Sequence, residues 1–208
     1  MKKFITDQEK FWANSFGKKY ILRNQNKQLL SSNINFFSKA LACVDKLNSC
    51  IEFGSNIGMN IKALELLIPK IDITAVEINK HACAELKKIL KNQKIYNQSI
   101  LNFNSKKKWD LVLVKGFLIH INPNYLKAVY KKMYNACKKY ILIAEYYNPT
   151  PVTVEYRGYK DKLFKRDFAN DFLIKYPKMS LVDYGFVYRH DAKHKLDDIN
   201  WFLLKKNK

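Results

Sequence analysis

Residues 50–79 constrain the fold more than any other part of the 208-residue chain. They begin with an apolar run, turn at Gly54 and Gly58, and continue with apolar residues at helical spacing. A second strand-like run, residues 71–76, ends at the acidic residue Glu77. Strand, glycine turn, helix, strand and acidic residue is the order of a nucleotide-binding βαβ unit, so the sequence predicts such a unit here.

Strand-like runs alternate with helical patterns through much of the remaining chain. Trp109–Lys115 is an almost continuous apolar run, which is typical of a central parallel strand buried on both faces. Further strands are predicted at residues 95–100 and 140–147. This alternation is typical of a parallel, doubly wound sheet with helices on both faces.

The C-terminal part departs from this alternation. Residues 148–159 contain two prolines and predict a long loop, followed by a helix that carries Phe164, Phe168 and Phe172. Two later runs, residues 181–188 and 199–204, predict an antiparallel pair. The predicted fold class is therefore α/β: a Rossmann-like, seven-stranded, mostly parallel sheet with an antiparallel C-terminal strand and an N-terminal helical extension.

The N-terminal segment is predicted to contain two helices. Aromatic residues recur at helical spacing between Phe11 and Tyr20, and a second apolar face spans residues 33–47. These helices either pack as an accessory layer or cover a bound ligand, and the sequence leaves both interpretations open. We expect one domain, with residues 1–47 as this extension, 48–147 as the ligand-binding core and 148–208 as a closing segment.

The charge of the chain bears on its partners. Lysine and arginine exceed aspartate and glutamate by 38 to 18, which gives a formal net charge of +20 and invites a nucleic-acid partner. The lysines are scattered, however, and the chain is also rich in asparagine and isoleucine, which is typical of a coding bias. We favour that interpretation over nucleic-acid binding, and an anionic small-molecule substrate stays open. No apolar run approaches the length of a membrane span, and the four cysteines have no disulfide-like spacing. These features predict a cytoplasmic protein without a membrane partner.

The glycine turn carries the ligand-binding prediction. Gly54 and Gly58 let the backbone pass close to a ligand because neither has a Cβ atom. Asn56 replaces the middle glycine of the dinucleotide fingerprint, which weakens a dinucleotide interpretation. Glu77 ends the second strand, where a carboxylate accepts hydrogen bonds from both ribose hydroxyls. The alternative is a solvent-facing carboxylate at a strand end.

The closing antiparallel pair resembles the fold of class I S-adenosylmethionine (SAM)-dependent methyltransferases, and a closer resemblance covers almost the whole chain. It is carried by Trp12, Phe16-Gly17, Tyr20, Arg23-Asn24, EFGSNIGMNIKAL, VEIN, KGFLIHINP, YILIAEYYNPTPVTVEYRG, LFKRDFA, DYGFVYRHD and NWFLL. These segments resemble the methylases associated with pseudaminic acid biosynthesis. The resemblance implies a small-molecule methyltransferase that uses SAM, releases S-adenosylhomocysteine and acts on a nonulosonic-acid-type sugar or its nucleotide-linked precursor, at oxygen or nitrogen.

Twelve residues are predicted to bind the cofactor. Arg23 is expected to pair with the carboxylate of SAM, Glu77 with its ribose, and Ser99 or a neighbouring backbone group with its adenine. The predicted set is Arg23, Glu52, Phe53, Gly54, Ser55, Asn56, Gly58, Glu77, Ile78, Ser99, Ile100 and Lys115.

The acceptor is expected beyond the carboxyl ends of the fourth and fifth strands. Candidate catalytic residues are His120 and Glu145, as alternative bases, and Tyr147, in an aromatic cluster that cradles the sulfonium or stacks on a sugar. Each has a structural alternative: a buried histidine bonded to backbone, a packed carboxylate beside a cation, and a half-buried tyrosine. The predicted substrate-binding residues are Tyr146, Asn148, Tyr156, Arg157, Arg166 and Arg189.

The C-terminal histidines and the loop at residues 148–151 bear on metal binding and on the class of acceptor. His190 and His194 lack the helical frame and third ligand of a zinc site, so no metal is predicted. Residues 148–151 superficially resemble a DNA amino-methylase motif, which keeps an RNA or DNA methyltransferase as an alternative. A SAM-binding protein without turnover is the other alternative, and the oligomeric state stays open.

Overall fold

The computed structural model describes residues 4–21, 27–89 and 94–207. The helices are α1 (Asp7–Ala13), α2 (Ser15–Ile21), α3 (Lys27–Ala40), α4 (Met59–Leu67), α5 (Lys80–Ile89), α6 (Leu126–Ala136) and α7 (Phe168–Lys175). The strands are β1 (Ser49–Phe53), β2 (Asp72–Glu77), β3 (Lys94–Asn97), β4 (Trp109–Lys115), β5 (Cys137–Glu145), β6 (Val152–Tyr156), β7 (Tyr159–Lys165), β8 (Met179–Val187) and β9 (Ile199–Lys206). Two 3₁₀ turns, Leu118–His120 and Pro123–Tyr125, follow β4.

Seven strands form one sheet in the order β3-β2-β1-β4-β5-β9-β8. The strands from β3 to β5 pair in parallel, and β9 pairs antiparallel with both β5 and β8. The predicted fold class is therefore confirmed. Strands β2 and β3 lie on one side of β1, and β4 and β5 lie on the other, so the strand order reverses between β1 and β4. A cleft opens at the carboxyl ends of the strands at this point.

Helices cover both faces of the sheet because each face is apolar. On one face, α3 and α4 pack Phe37 and Leu64 against strand residues such as Leu113. On the other face, α6 and α7 contribute Met133 and Phe172. The central strands are buried on both faces, so their positions are fixed and their carboxyl ends form a rigid floor for the cleft.

The two N-terminal helices lie over the cleft and are tied to the core at Asn79. Its side-chain amide donates to the carbonyl oxygens of Trp12 at 2.9 Å, Ala13 at 3.3 Å and Asn14 at 3.4 Å. A Cβ atom on Gly17 would lie 2.0 Å from the Trp12 carbonyl oxygen, so only glycine allows this approach.

Several predicted element bounds were wrong. Residues 148–159 are not one long loop, because β6 and β7 form a hairpin. Its two-residue turn has positive φ at both Arg157 (54°) and Gly158 (83°), as a type I′ turn requires. Phe164 belongs to β7 rather than to a helix, since Asp167 caps α7 by accepting from the Asn170 N–H at 2.9 Å.

The remaining boundary errors are smaller. The first predicted N-terminal helix is divided into α1 and α2, and the helix predicted at residues 33–47 is α3, Lys27–Ala40. Strand β3 ends at Asn97. After β3 the chain turns, because the backbone N–H of Leu101 donates to Ser99 Oγ at 3.1 Å. Among the described residues, no helix has both the length and the apolar character to cross a membrane.

Candidate functional site

A cavity of about 550 Å³ lies at the carboxyl ends of β1, β2 and β4, beneath α1 and α2. This volume is within the range of small-molecule and cofactor sites. Of the predicted site residues, those that line the cavity are Gly54, Ser55, Asn56, Glu77, Ile78, Ser99, Ile100, Lys115, His120, Tyr146, Tyr156 and Arg157.

The glycine turn forms one wall of the cavity. Gly54 has a φ of 78°, and its N–H donates to the Val76 carbonyl at 2.9 Å. A Cβ atom at Gly54 would lie 2.3 Å from the Phe117 ring. Asn56, at the position of the missing glycine, has a φ of 47°, which asparagine tolerates better than most residues. The turn therefore keeps a left-handed residue where dinucleotide-binding proteins use glycine.

Glu77 lies on the cavity wall and is held by the same turn. Its Oε2 accepts from the Asn56 N–H at 2.8 Å, and its Oε1 accepts from the Asn79 N–H at 2.7 Å. Burial raises the pKa of Glu77, although these backbone donors oppose the shift. Each carboxylate oxygen has a second lone pair, so the fixed carboxylate has acceptor capacity for two further donors.

A buried cluster of mixed charge lies behind the glycine turn. Glu52 is fully buried, and its Oε1 accepts from the Asn60 amide at 2.7 Å. Burial raises the pKa of Glu52 to about 7, while burial lowers the pKa of Lys115, an effect that the Glu52 charge opposes. Within the described residues, Glu52 Oε2 and Asn33 Oδ1 have no hydrogen-bond partner. The cluster thus presents two unused acceptors and one ammonium group.

Asn33, Asn60 and Lys115 line the cavity, whereas Glu52 does not. The sequence analysis missed Asn33 and Asn60. Nothing in the local sequence of α3 or α4 distinguishes these residues from solvent-facing asparagines, because their burial depends on how the two helices pack together.

His120 ends the 3₁₀ turn after β4. Its Nδ1 lies 2.7 Å from the Lys162 carbonyl oxygen, so Nδ1 carries the proton and Nε2 is the unprotonated nitrogen. Burial lowers the pKa of His120 to about 4. Its ring centre is 4.4 Å from that of Trp12 and 5.0 Å from that of Tyr156. A neutral imidazole therefore lies among aromatic rings on the β4 side of the cavity.

Glu145 has a different position from the one predicted for a base. It does not line the cavity, and its carboxylate accepts from the backbone N–H groups of Phe117 at 3.0 Å, Leu118 at 2.8 Å and Ile119 at 3.4 Å. Burial raises the pKa of Glu145 to about 7. These bonds make Glu145 the residue that fixes the turn leading to His120.

Other predicted residues lie away from the cavity. Tyr147 is exposed beside Phe202, and the Asn148 amide donates to the Thr150 carbonyl at 2.6 Å. Arg166 pairs with Asp171 at 3.0 Å and Arg189 pairs with Asp198 at 2.5 Å. Phe53 is in the core, Gly58 precedes α4, and Arg23 lies outside the described residues.

Three predicted substrate-binding residues, Tyr146, Tyr156 and Arg157, line the cavity together with two residues that were not predicted from the sequence. The Tyr146 hydroxyl donates to Asp197 Oδ2 at 2.6 Å, and burial and this bond raise the pKa of Tyr146. The Arg157 guanidinium lies 5.5 Å from the centre of the Tyr156 ring. Lys195 and Asp197, from the loop between β8 and β9, complete this part of the wall.

Comparisons with known proteins show the fold through solved structures. No protein-family model matches the sequence, and no curated protein sequence matches it. A SAM-dependent methyltransferase from Leishmania major superposes with a TM-score of 0.73 at 15% identity, covering 95% of this chain and 81% of that protein.

Two further structures have the same architecture. The 1,6-didemethyltoxoflavin-N1-methyltransferase from Burkholderia thailandensis, solved with bound 1,6-didemethyltoxoflavin and S-adenosylhomocysteine, has a TM-score of 0.72 at 12% identity, covering 96% of this chain and 87% of that one. Magnesium protoporphyrin IX methyltransferase from Synechocystis, solved with SAM, has a TM-score of 0.68 at 10% identity, covering 99% and 100%. The chain therefore has the fold of class I SAM-dependent methyltransferases.

Proposed function

We propose that the chain is a methyltransferase that binds SAM in the cavity and transfers its methyl group to oxygen or nitrogen of a small acceptor. The observation that carries the proposal is the wall formed by the glycine turn and Glu77. A carboxylate held by two backbone N–H groups beside a left-handed turn suits the diol of a ribose.

The buried cluster suits the amino-acid end of SAM. Asn33 Oδ1 is an unused acceptor on the cavity wall, which fits an ammonium group, and Glu52 Oε2 is a second unused acceptor behind that wall. Lys115 lines the same wall and supplies a cation for a carboxylate. A zwitterion would therefore satisfy buried groups that are unsatisfied in the described part of the chain.

The aromatic wall around His120 suits the acceptor. SAM supplies an electrophilic methyl group on a sulfonium, so a new bond from the acceptor oxygen or nitrogen forms as the sulfur–methyl bond breaks. The proton lost by the acceptor passes to His120 Nε2, which is unprotonated because Nδ1–H donates to Lys162. The Trp12 and Tyr156 rings exclude water and offer faces for a ring-shaped acceptor.

The acceptor that we propose is a nonulosonic-acid-type sugar or its nucleotide-linked precursor. The resemblance described above supports this class, as does Arg157 on the cavity wall, because a guanidinium pairs well with a carboxylate or phosphate. Incubation of the protein and SAM with a panel of such sugars, followed by mass spectrometry, should reveal one added methyl group. Salt-sensitive methylation of bulk tRNA or DNA instead would support the nucleic-acid alternative.

The donor site is tested by titrating S-adenosylhomocysteine into the protein in a calorimeter. Glu77→Ala should weaken binding about 30-fold or more, because two charge-assisted hydrogen bonds are lost. Glu85→Gln is the matched control: Glu85 pairs with Lys88 at 2.7 Å on α5 and does not line the cavity. Unchanged affinity in Glu77→Ala would rule out the ribose assignment.

A further inference from the structure

The side chain of Glu9, on α1, is an unexplained part of the cavity wall. It is 8% exposed. Its Oε2 accepts from the N–H of Thr6 at 2.9 Å and also from that of Ile5, which completes the capping box of α1. Its Oε1 has no hydrogen-bond partner among the described residues. A buried carboxylate oxygen without a donor is costly, so a ligand that supplies a donor would bind favourably here.

The helical geometry of α1 gives the direction in which Glu9 points. The β6–β7 hairpin lies on one side of α1, where Gln8 donates to the Asp161 carbonyl at 2.9 Å and the Phe11 ring lies 5.0 Å from that of Tyr159. Residues of a helix are spaced about 100° apart, so Glu9 is about 160° from Phe11. The Trp12 ring, about 60° from Glu9 around the helix, lies 6.2 Å from the Tyr156 ring of the hairpin, so Glu9 lies on the edge of the cavity-facing side of α1 that is farther from the hairpin.

The region opposite the hairpin is the β2–β3 side of the cleft. The hairpin follows β5 and packs on the turn after β4, whereas Asn79, just after β2, holds the C-terminal end of α1. The β3 loop contributes Ser99, Ile100 and Leu101 to the cavity on that side. Glu9 thus faces the part of the cavity bounded by the ends of β2 and β3.

The walls of that part of the cavity suit a flat purine ring, but the segment that follows β3 supplies no carboxylate. Ile78 and Ile100 are apolar and line the cavity, and Ser99 Oγ already accepts from the Leu101 N–H. The residues that follow β3 are Gln98-Ser99-Ile100, with no acid among them. An aromatic amino group held in this slot would need an acceptor, and Glu9 is the carboxylate that faces it.

We propose, on the basis of the proposed function, that Glu9 Oε1 accepts a hydrogen bond from the exocyclic amino group of the methyl donor's adenine. The N-terminal helix α1 then recognises the base as well as covering the cavity. A 6-oxo purine in place of adenine presents a carbonyl oxygen to the carboxylate, so Glu9 also makes the site selective for the amino base.

Glu9→Gln tests this with little change in shape. The backbone N–H groups of Ile5 and Thr6 require an oxygen, so the glutamine oxygen replaces Oε2 and its NH₂ group replaces Oε1. The probes are S-adenosylhomocysteine and S-inosylhomocysteine, titrated into the full chain by calorimetry. The natural protein should bind the adenosyl compound about tenfold or more tightly than the inosyl compound, and Glu9→Gln should bring the two affinities within about twofold.

Asp7→Asn is the matched control, because Asp7 is in the same helical turn, pairs with Lys10 at 3.1 Å and does not line the cavity. It should keep the preference for the adenosyl compound. If Glu9→Gln keeps that preference too, the inference is overturned while the proposed function stands. If the natural protein binds neither compound, the proposed function fails and the inference with it.

Discussion

The two sides of the cleft are built in different ways. The β1–β2 side, where we place the ribose of the methyl donor, consists largely of backbone turns and one carboxylate that the backbone holds in place. The β4–β5 side, where we place the acceptor, consists of side chains from α1, the turn after β4 and the β6–β7 hairpin. Backbone geometry suits a ligand that never changes, whereas side chains from separate segments can be altered one at a time to suit different acceptors.

The largest effect should come from adding a methyl group to the donor side. Gly54→Ala places a Cβ atom 2.3 Å from the Phe117 ring at a φ of 78°. We expect affinity for S-adenosylhomocysteine to fall about 100-fold or more, because the turn must move. Gly158→Ala is the control, since its φ is 83° but no atom lies within 4 Å of the added Cβ. If both variants lose the same affinity for S-adenosylhomocysteine, the loss comes from backbone strain at positive φ and not from the contact with Phe117.

A smaller effect, confined to turnover, should come from the acceptor side. His120→Ala should lower kcat about 100-fold and leave the affinity for S-adenosylhomocysteine within about twofold, because the residue handles a proton and not the donor. With the pKa of His120 lowered to about 4, Nε2 is unprotonated above that pH. The rate of the natural protein should therefore fall only as the pH drops toward 4. A fall centred near 6.5 would contradict this assignment.

The smallest effect is on stability, and it tests whether the buried Glu52 behind the glycine turn titrates as its surroundings predict. The pKa of Glu52 is raised from 4.5 to about 7, so the folded state binds more protons than the unfolded state between these values. Glu52 should therefore contribute a fall of roughly 1–3 kcal/mol in the free energy of unfolding as the pH rises from 4.5 through 7. His120, whose pKa is lowered from 6.5 to about 4, contributes a rise over its own range, so the Glu52 contribution is read as the difference between the natural protein and a Glu52 variant.

Glu52→Gln keeps the acceptor for Asn60 and removes the titrating group. Urea unfolding of both proteins at a series of pH values should show that the fall assigned to Glu52 is lost in this variant. The contributions of Glu77 and Glu145, whose pKa values are raised, and of His120, whose pKa is lowered, should be the same in both proteins. If the pH dependence of the free energy of unfolding is the same in Glu52→Gln as in the natural protein, Glu52 is not the group that titrates.

The sequence predicted the donor side better than the acceptor side for a physical reason. Gly54, Asn56 and Glu77 belong to one local unit of strand, turn and helix, so their spacing alone indicates their geometry. The hairpin was missed because Pro149 and Pro151 precede it and its turn is Arg157-Gly158, which is not a common type I′ pair.

Long-range placement explains the other differences. Glu9 is buried because Asn79, some 70 residues later in the chain, and the β6–β7 hairpin hold α1 over the cleft, and such contacts leave no local pattern. Glu145 ends a strand, as expected of a base, but three backbone N–H groups that follow β4 occupy its carboxylate. Pairing with local acids likewise holds Arg166 and Arg189 outside the cavity.

Asn79 has two tasks that no other side chain of its size performs equally well. Its Oδ1 caps α5 by accepting from the N–H groups of His81 at 2.9 Å and Ala82 at 3.1 Å, while its Nδ2 holds the end of α1. Aspartate would keep the cap and repel the α1 carbonyl groups, and alanine would lose both contacts. We therefore expect asparagine to be retained at position 79, because a replacement that keeps the cap of α5 loses the contact with α1, and the reverse.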